Sequence, residues 1–180
     1  HVVNYDPLTG AILFQGTHQG LADDSSWSRG QGWGLYGYTV MYRFTKDRFF
    51  LEKAQKIADY IMSDPSLPED KIFLWDYDAP ADAPRDASAA ALCASALLEL
   101  YAYTEDEAQA GRMFRFAVDI LRSLSGPQYT AKPGTNGGFI LKHSVTSFPA
   151  GKEIDRPLNY ADYYYLEALL RLKNILDNDK

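Results

Sequence analysis

Residues 86–124 read DASAAALCASALLELYAYTEDEAQAGRMFRFAVDILRSL. The first part, about Asp86–Tyr103, is an apolar, alanine-rich run of helical length. Ala87, Ala90, Ala91 and Ala94 give it a face that allows tight helix–helix approach. Thr104 with Glu107 three residues on is the pattern of a capping box for a second helix over about 105–124. Gly126-Pro127 stops that helix. Helix, short loop, helix is therefore the local rule of this stretch.

The rest of the chain extends the rule in both directions. Upstream, a helix is predicted from Ser26 to about Thr45, with Asp23, Asp24 and Ser25 as N-terminal anions and cap candidates. Gly30, Gly32, Gly34 and Gly37 fall inside it, each costing up to ~1 kcal/mol relative to alanine. Such a cluster signals close backbone approach by another helix or a ligand. Asp47 opens the next helix, with Phe49, Phe50, Leu51, Ala54, Ile57, Ala58 and Ile61 at helical spacing; it ends before Pro65. Residues 64–84 hold four prolines and Trp75-Asp76-Tyr77-Asp78, a long loop of the kind that often carries function. Downstream, residues 127–157 read as irregular, and a last helix runs from about Asn159 to Leu176. At the start of the chain, residues 1–16 read as two extended pieces around an Asp6–Gly10 turn. The alternation of short and long loops is that of stacked helical hairpins, an all-α architecture. There is neither a strict repeat nor a strand–helix alternation, which excludes a regular solenoid and a parallel α/β fold.

Composition narrows function without naming it. The 180 residues are 46% hydrophobic and 23% charged, as in an ordinary globular domain. The net charge of −6, with 18 Lys+Arg scattered among 24 Asp+Glu, argues against nucleic acid as a partner. No apolar stretch approaches the ~18 residues needed to span a membrane. The single cysteine, Cys93, excludes an internal disulfide and a cysteine-based zinc site, and reads as a buried small residue. His1, His18 and His143 lack metal-ligand spacing, and neither a nucleophile elbow nor a phosphate loop occurs.

Three clusters could carry chemistry. In His18-Gln19-Gly20-Leu21-Ala22-Asp23-Asp24-Ser25-Ser26-Trp27-Ser28-Arg29-Gly30-Gln31-Gly32-Trp33, Arg29 and Trp33 are four apart and share a helix face. A guanidinium beside an indole suits a planar anionic ligand: the one forks onto a carboxylate, the other stacks on a ring. Gln19 adds a neutral donor and acceptor. The structural alternative is that Asp23 and Asp24 cap the helix, Arg29 pairs with one of them, and both tryptophans are core. Trp75-Asp76-Tyr77-Asp78 is either a sugar-binding loop or a loop pinned by packed rings. The segment Asp155-Arg156-Pro157-Leu158-Asn159-Tyr160-Ala161-Asp162-Tyr163-Tyr164-Tyr165 clusters four tyrosines, some for the core and one or two within reach of a cleft. No pair of carboxylates can be assigned as general acid and base.

The first cluster, with Trp33-Gly34-Leu35-Tyr36-Gly37 following, resembles the signature of the unsaturated glucuronyl hydrolases, glycoside hydrolase family 88. Two further blocks agree: Pro84-Arg85-Asp86-Ala87-Ser88-Ala89-Ala90-Ala91, and Asp155 to Leu169. The resemblance covers essentially the whole chain. It implies part of an (α/α)6 barrel with a cleft built from loops at one end. It implies hydrolysis of oligosaccharides ending in a Δ4,5-unsaturated uronic acid, by hydration of the C4=C5 vinyl ether on an aspartic acid, with no metal or organic cofactor. On matched positions it implies substrate-binding roles for His1, Gln19, Arg29, Trp33 and Tyr160. Ser144, Ser147 and Lys152 lie where some relatives hold a sulfate, but the lysine sits too far along the sequence for sulfate binding to be expected. The two catalytic aspartates of the family lie upstream of His1, so the 180 residues are expected to be the C-terminal half of one barrel, inactive alone and prone to self-association. The neighbouring unsaturated rhamnogalacturonyl hydrolases and a non-catalytic carbohydrate-binding half-barrel are the competing readings.

Overall fold

Five helices organise the described residues, 2–178, of the computed structural model: α1 (Ser28–Thr45), α2 (Arg48–Met62), α3 (Ala87–Tyr101), α4 (Glu107–Leu124) and α5 (Asn159–Asn178). Helix α3 is the centre. Every residue from Ala87 to Leu98, and Leu100, is buried. Its alanine and serine side chains leave little between backbones, so α1, α4 and α5 all pack on it. Helix α1 in turn packs on α2, so α1, α3 and α5 lie side by side, backed by α2 and α4. These are the stacked helical hairpins the sequence predicts.

The outer helices are one-sided. Helix α2 buries Leu51, Ala54, Ala58 and Ile61; α4 buries Ala110, Met113, Ala117, Ile120, Leu121 and Leu124. Both sets keep the i, i+3, i+4 spacing of an amphipathic helix. In α1 the close approach expected of the glycines occurs at Gly32, where a Cβ would stand 3.0 Å from Leu92 Cδ2. It does not explain Gly37, which faces open space.

The caps correct the sequence reading twice. Helix α2 starts as expected, with Asp47 accepting from Phe49 N at 2.9 Å. Helix α4 is capped by Asp106, which accepts from Gln109 N at 2.7 Å. Thr104 turns back and donates to the Leu100 carbonyl at 2.9 Å, so the Thr104–Glu107 box does not form. Helix α1 has Trp27 at its N-cap and no side-chain cap. Asp23 instead accepts from Thr17 N at 2.8 Å, closing the preceding loop on itself.

Two antiparallel hairpins complete the fold. Strands β1 (Val2–Tyr5) and β2 (Ile12–Gly16) flank the expected turn, where Asp6 accepts from Leu8 N and Thr9 N. Those donors lower the Asp6 pKa from its ordinary value. Strands β3 (Ser144–Ser147) and β4 (Lys152–Arg156) form a hairpin where the sequence reads as irregular. A register shift between Ser144 and Val145, and positive φ at Glu153 and Asp155, break the two-residue alternation that marks a strand. Among the described residues no helix is long and apolar enough to cross a membrane.

Candidate functional site

The site lies where the first turns of α1, α3 and α5 meet β3. A buried loop contact sets the entry to α1. Asp76, fully buried, accepts from Leu21 N at 2.9 Å, Ser25 Oγ at 2.8 Å and Asp78 N at 3.0 Å. Ser28 N donates to the Trp75 carbonyl at 3.2 Å, and Tyr77 N to the Ser26 carbonyl at 3.0 Å. One carboxylate therefore ties the loop bearing Gln19 to the loop before α3. Trp75 is buried, stacked on Phe148 at 4.6 Å, and Tyr77 is buried too. The Trp75–Asp78 stretch is a pinned loop and not a sugar platform.

Arg29, on the first turn of α1, is 2% exposed. Its Nη1 donates to Asp86 Oδ2 at 2.5 Å and to the Val145 carbonyl, and its Nη2 to the Thr146 carbonyl at 2.5 Å. The guanidinium lies 4.7 Å from the Trp27 ring centroid and 5.5 Å from that of Tyr160. Asp86 is the N-cap of α3: Oδ1 accepts from Ser88 N at 3.1 Å and Ser88 Oγ at 2.5 Å. The partner of Arg29 is thus Asp86, and neither Asp23 nor Asp24 as the structural alternative supposed. A planar cation with a fork of donors is what this junction needs, because one carboxylate and two carbonyls converge on it.

Around this hub stand the residues that face outward. Gln19, half-buried, donates through Nε2 to the same Thr146 carbonyl at 2.9 Å. Tyr160, at the start of α5, is half-buried against the guanidinium. Burial pushes its phenol pKa up, against the opposing pull of Arg29, so the hydroxyl stays protonated at neutral pH. Trp33, one turn along α1 from Arg29, is 40% exposed and not core. It packs edge-on against Tyr164 of α5, with centroids 5.5 Å apart. A cavity of about 210 Å³ opens beside Trp27, lined also by Ser25, Gly30 and Gln31. Gln19, Arg29, Trp33 and Tyr160 are therefore brought to one end of the helix row. His1 lies outside the described residues.

The tyrosine segment divides as expected between core and surface. Tyr165 is buried, with its hydroxyl 2.8 Å from Ser125 Oγ; Tyr163 is exposed. Asp162 accepts from Ile140 N and Leu141 N, both at 2.8 Å, fixing the segment after Gly137. In the second hairpin, Lys152 stands opposite Ser147 across the strands, closer than their sequence separation suggests. Ser144 Oγ is buried and without a hydrogen-bond partner. Among the described residues no group of three or more His, Cys, Asp or Glu is placed to hold a metal ion.

Sequence reasoning did not single out Asp86 or the Val145 and Thr146 carbonyls. Asp86 carried a usable signal, an acid at the first residue of a predicted helix. The carbonyls carried none, because backbone acceptors have no residue type.

No family model matches the chain. Over 178 residues it is 44% identical to an unsaturated glucuronyl hydrolase of Formosa agariphila, covering 98% of this chain and 44% of that protein. It superposes on the crystal structure of an unsaturated glucuronyl hydrolase specific for heparin with a TM-score of 0.95 and 55% identity, covering 98% of this chain and 47% of that one. It is also similar to an aspartate-to-asparagine variant of the Streptococcus agalactiae enzyme complexed with dGlcA-GalNAc6S, with TM-score 0.79 and 37% identity over 93% of this chain and 45% of that one. The chain thus spans somewhat under half the length of these relatives.

Proposed function

Because this chain is a homologue of the unsaturated glucuronyl hydrolases, α/α-barrel glycoside hydrolases, we propose that it forms one wall of a cleft for oligosaccharides ending in a Δ4,5-unsaturated uronic acid. The observation that carries this reading is the exposed Trp33 ring at the same end of the helix row as Tyr160 and the loop residue Gln19, in a fold that follows a solved member of that group at a TM-score of 0.95. The unsaturated ring is flattened at C4=C5, so an exposed indole offers it a matching apolar face. Gln19 and Tyr160 offer neutral hydrogen-bonding groups to its carboxylate and hydroxyls. Arg29 serves the ligand by holding both: it shares the Thr146 carbonyl with Gln19 and lies against the Tyr160 ring. His1 is proposed to bind the same ligand solely by its match to the family pattern.

The reaction proposed for the whole protein is hydration of the vinyl ether. A proton adds to C4 and the hydroxyl of water to C5; the resulting hemiketal opens and releases the remaining sugar as an alcohol. The proton donor belongs, in this reading, to sequence outside these 180 residues, in the other half of one barrel. The buried carboxylates of this chain are otherwise engaged: Asp86 by Arg29 and the α3 N-terminus, Asp76 by three donors.

The test is turnover by the full-length polypeptide that carries these residues, followed by loss of the ultraviolet absorbance of the conjugated double bond. Consumption of an unsaturated glucuronyl disaccharide in preference to an unsaturated rhamnogalacturonyl disaccharide supports the reading. The opposite preference moves the chain to the neighbouring family, and binding without turnover makes it a carbohydrate-binding module.

A further inference from the structure

The stripe that carries the site continues beyond it. On α1, Arg29, Trp33 and Tyr36 follow at steps of four and three; on α5, Tyr160, Tyr164, Glu167 and Arg171 do the same. The two stripes face each other. Arg29 meets Tyr160, and Trp33 meets Tyr164. Tyr36 packs edge-on against Tyr164, with centroids 5.1 Å apart and planes at 70°. Trp33 and Tyr36, both from α1, therefore meet the Tyr164 ring, which also packs edge-on against its neighbour Tyr163 with centroids 4.9 Å apart.

Tyr36 is itself held by one acid. Its hydroxyl donates to Glu167 Oε1 at 3.1 Å. Glu167 Oε2 accepts from Ser95 Oγ at 2.5 Å, and Arg171 Nη2 lies 3.4 Å from Oε1. Arg171 also donates to the Ser95 carbonyl at 2.7 Å and lies over the Tyr36 ring. Glu167 so receives a donor from each of α1, α3 and its own helix. Burial and the Glu167 charge raise the Tyr36 pKa, which keeps its hydroxyl a donor.

We propose that Glu167 is a positioning residue for the Trp33 ring: it fixes Tyr36, Tyr36 fixes Tyr164, and Tyr164 sets the tilt at which Trp33 meets a sugar. This inference rests on the assignment of Trp33 to the ligand wall. It adds a residue two ring contacts away from that tryptophan. An edge-to-face pair fixes ring orientation where plain apolar contact does not, so the chain of contacts transmits geometry and not merely stability.

The test uses the full-length polypeptide and two readouts. The first needs no ligand: the near-ultraviolet circular dichroism of Trp33, isolated by subtracting the spectrum of Trp33→Phe. The second is the Kd for an unsaturated chondroitin disaccharide. Glu167→Ala is expected to collapse the Trp33 signal and raise Kd about tenfold, the factor that loss of one orienting hydrogen bond produces. Glu167→Gln, which keeps an acceptor for Tyr36, is expected to restore both to within about threefold. Tyr36→Phe should mimic Glu167→Ala, and the double variant should be no worse than either single one. Met113→Ala, a buried change remote from the stripe, controls for stability and should leave both readouts unchanged. An unaltered Trp33 signal in Glu167→Ala, or equal loss in Met113→Ala, overturns the proposal. A collapsed Trp33 signal in a protein whose wild type binds no disaccharide overturns the ligand assignment and leaves the positioning intact.

Discussion

Arg29 and Asp86 form an ion pair at 2.5 Å with both side chains almost wholly buried, 3% and 0% exposed. The pair joins the first turn of α1 to the N-cap of α3, and the Val145 and Thr146 carbonyls of β3 complete the shell around the guanidinium. Three elements that are far apart in sequence thus meet on one arginine.

Removing that arginine leaves a buried carboxylate without its charge partner and two carbonyls without a donor. Arg29→Ala is expected to cost about 3–5 kcal/mol in stability, measured by denaturant unfolding. Arg29→Lys is expected to recover only part of this, because one ammonium cannot reach the carboxylate and both carbonyls in the geometry of a planar fork. A cost below about 1 kcal/mol for Arg29→Ala would show that the junction holds without it.

Asp76 makes the same point for the Gln19 loop. Asp76→Ala removes the acceptor of Leu21 N, Ser25 Oγ and Asp78 N together. The expected loss is about 2–3 kcal/mol, with faster amide exchange confined to Leu21 and Asp78 and their neighbours. Uniform exchange across the helices would contradict a local anchor.

Much of this was legible in sequence and some was not. The five helices were, because α2 and α4 keep a strict apolar spacing and α3 is apolar all round. The long-range partners were not. Thr104 and Glu107 have the spacing of a capping box, yet Asp106 wins because its short carboxylate reaches Gln109 N while the Thr104 hydroxyl is taken by Leu100. The β3–β4 hairpin was hidden because its bulge and the positive φ at Glu153 and Asp155 erase alternation. The motif singles out Arg29, Trp33, Gln19 and Tyr160, but only the fold shows that Arg29 is enclosed while Trp33 is open. That difference is why we propose that Arg29 holds the residues of the ligand wall and does not itself touch the sugar.

The capping result is itself measurable. Asp106→Ala is expected to cost about 1 kcal/mol, the usual worth of an N-cap. Thr104→Ala should cost less, since its hydroxyl bond to Leu100 closes no helix start. Equal or reversed costs, read from chemical denaturation, would restore the box.

Glu99 gives a pH dependence. Burial pulls its pKa up, but the hydrogen bond from Arg43 and the charges of Arg171 and Arg43 outweigh it and hold the pKa below the ordinary value. A lowered carboxylate pKa adds stability above the unfolded value, and that stability is lost as pH falls through the folded value. Glu99→Gln should therefore lower Tm at pH 7 and converge on wild type below about pH 4. A constant difference across that range would contradict the linkage.

An apolar groove of about 440 Å³ runs along α1 past Trp33, Gly34, Gly37, Tyr38, Val40 and Met41, and Phe44 stands exposed at the end of the same helix. The hairpin residues Tyr5, Ile12, Leu13 and Phe14 are exposed as well. Patches of this kind mark surfaces that are covered in use. Expressed alone, the 180 residues are expected to sediment as a concentration-dependent oligomer. A monomer at all concentrations would contradict this.

A wall built for a flattened, unsaturated uronate must discriminate it from the saturated sugar. Isothermal titration of the full-length polypeptide with an unsaturated glucuronyl disaccharide, against the saturated disaccharide of the same composition, tests this. Tight binding of the unsaturated sugar, weaker binding of the saturated one, and loss of the difference in Trp33→Ala are the predicted results. Equal affinity for the two sugars, or a difference that survives Trp33→Ala, would contradict the assignment.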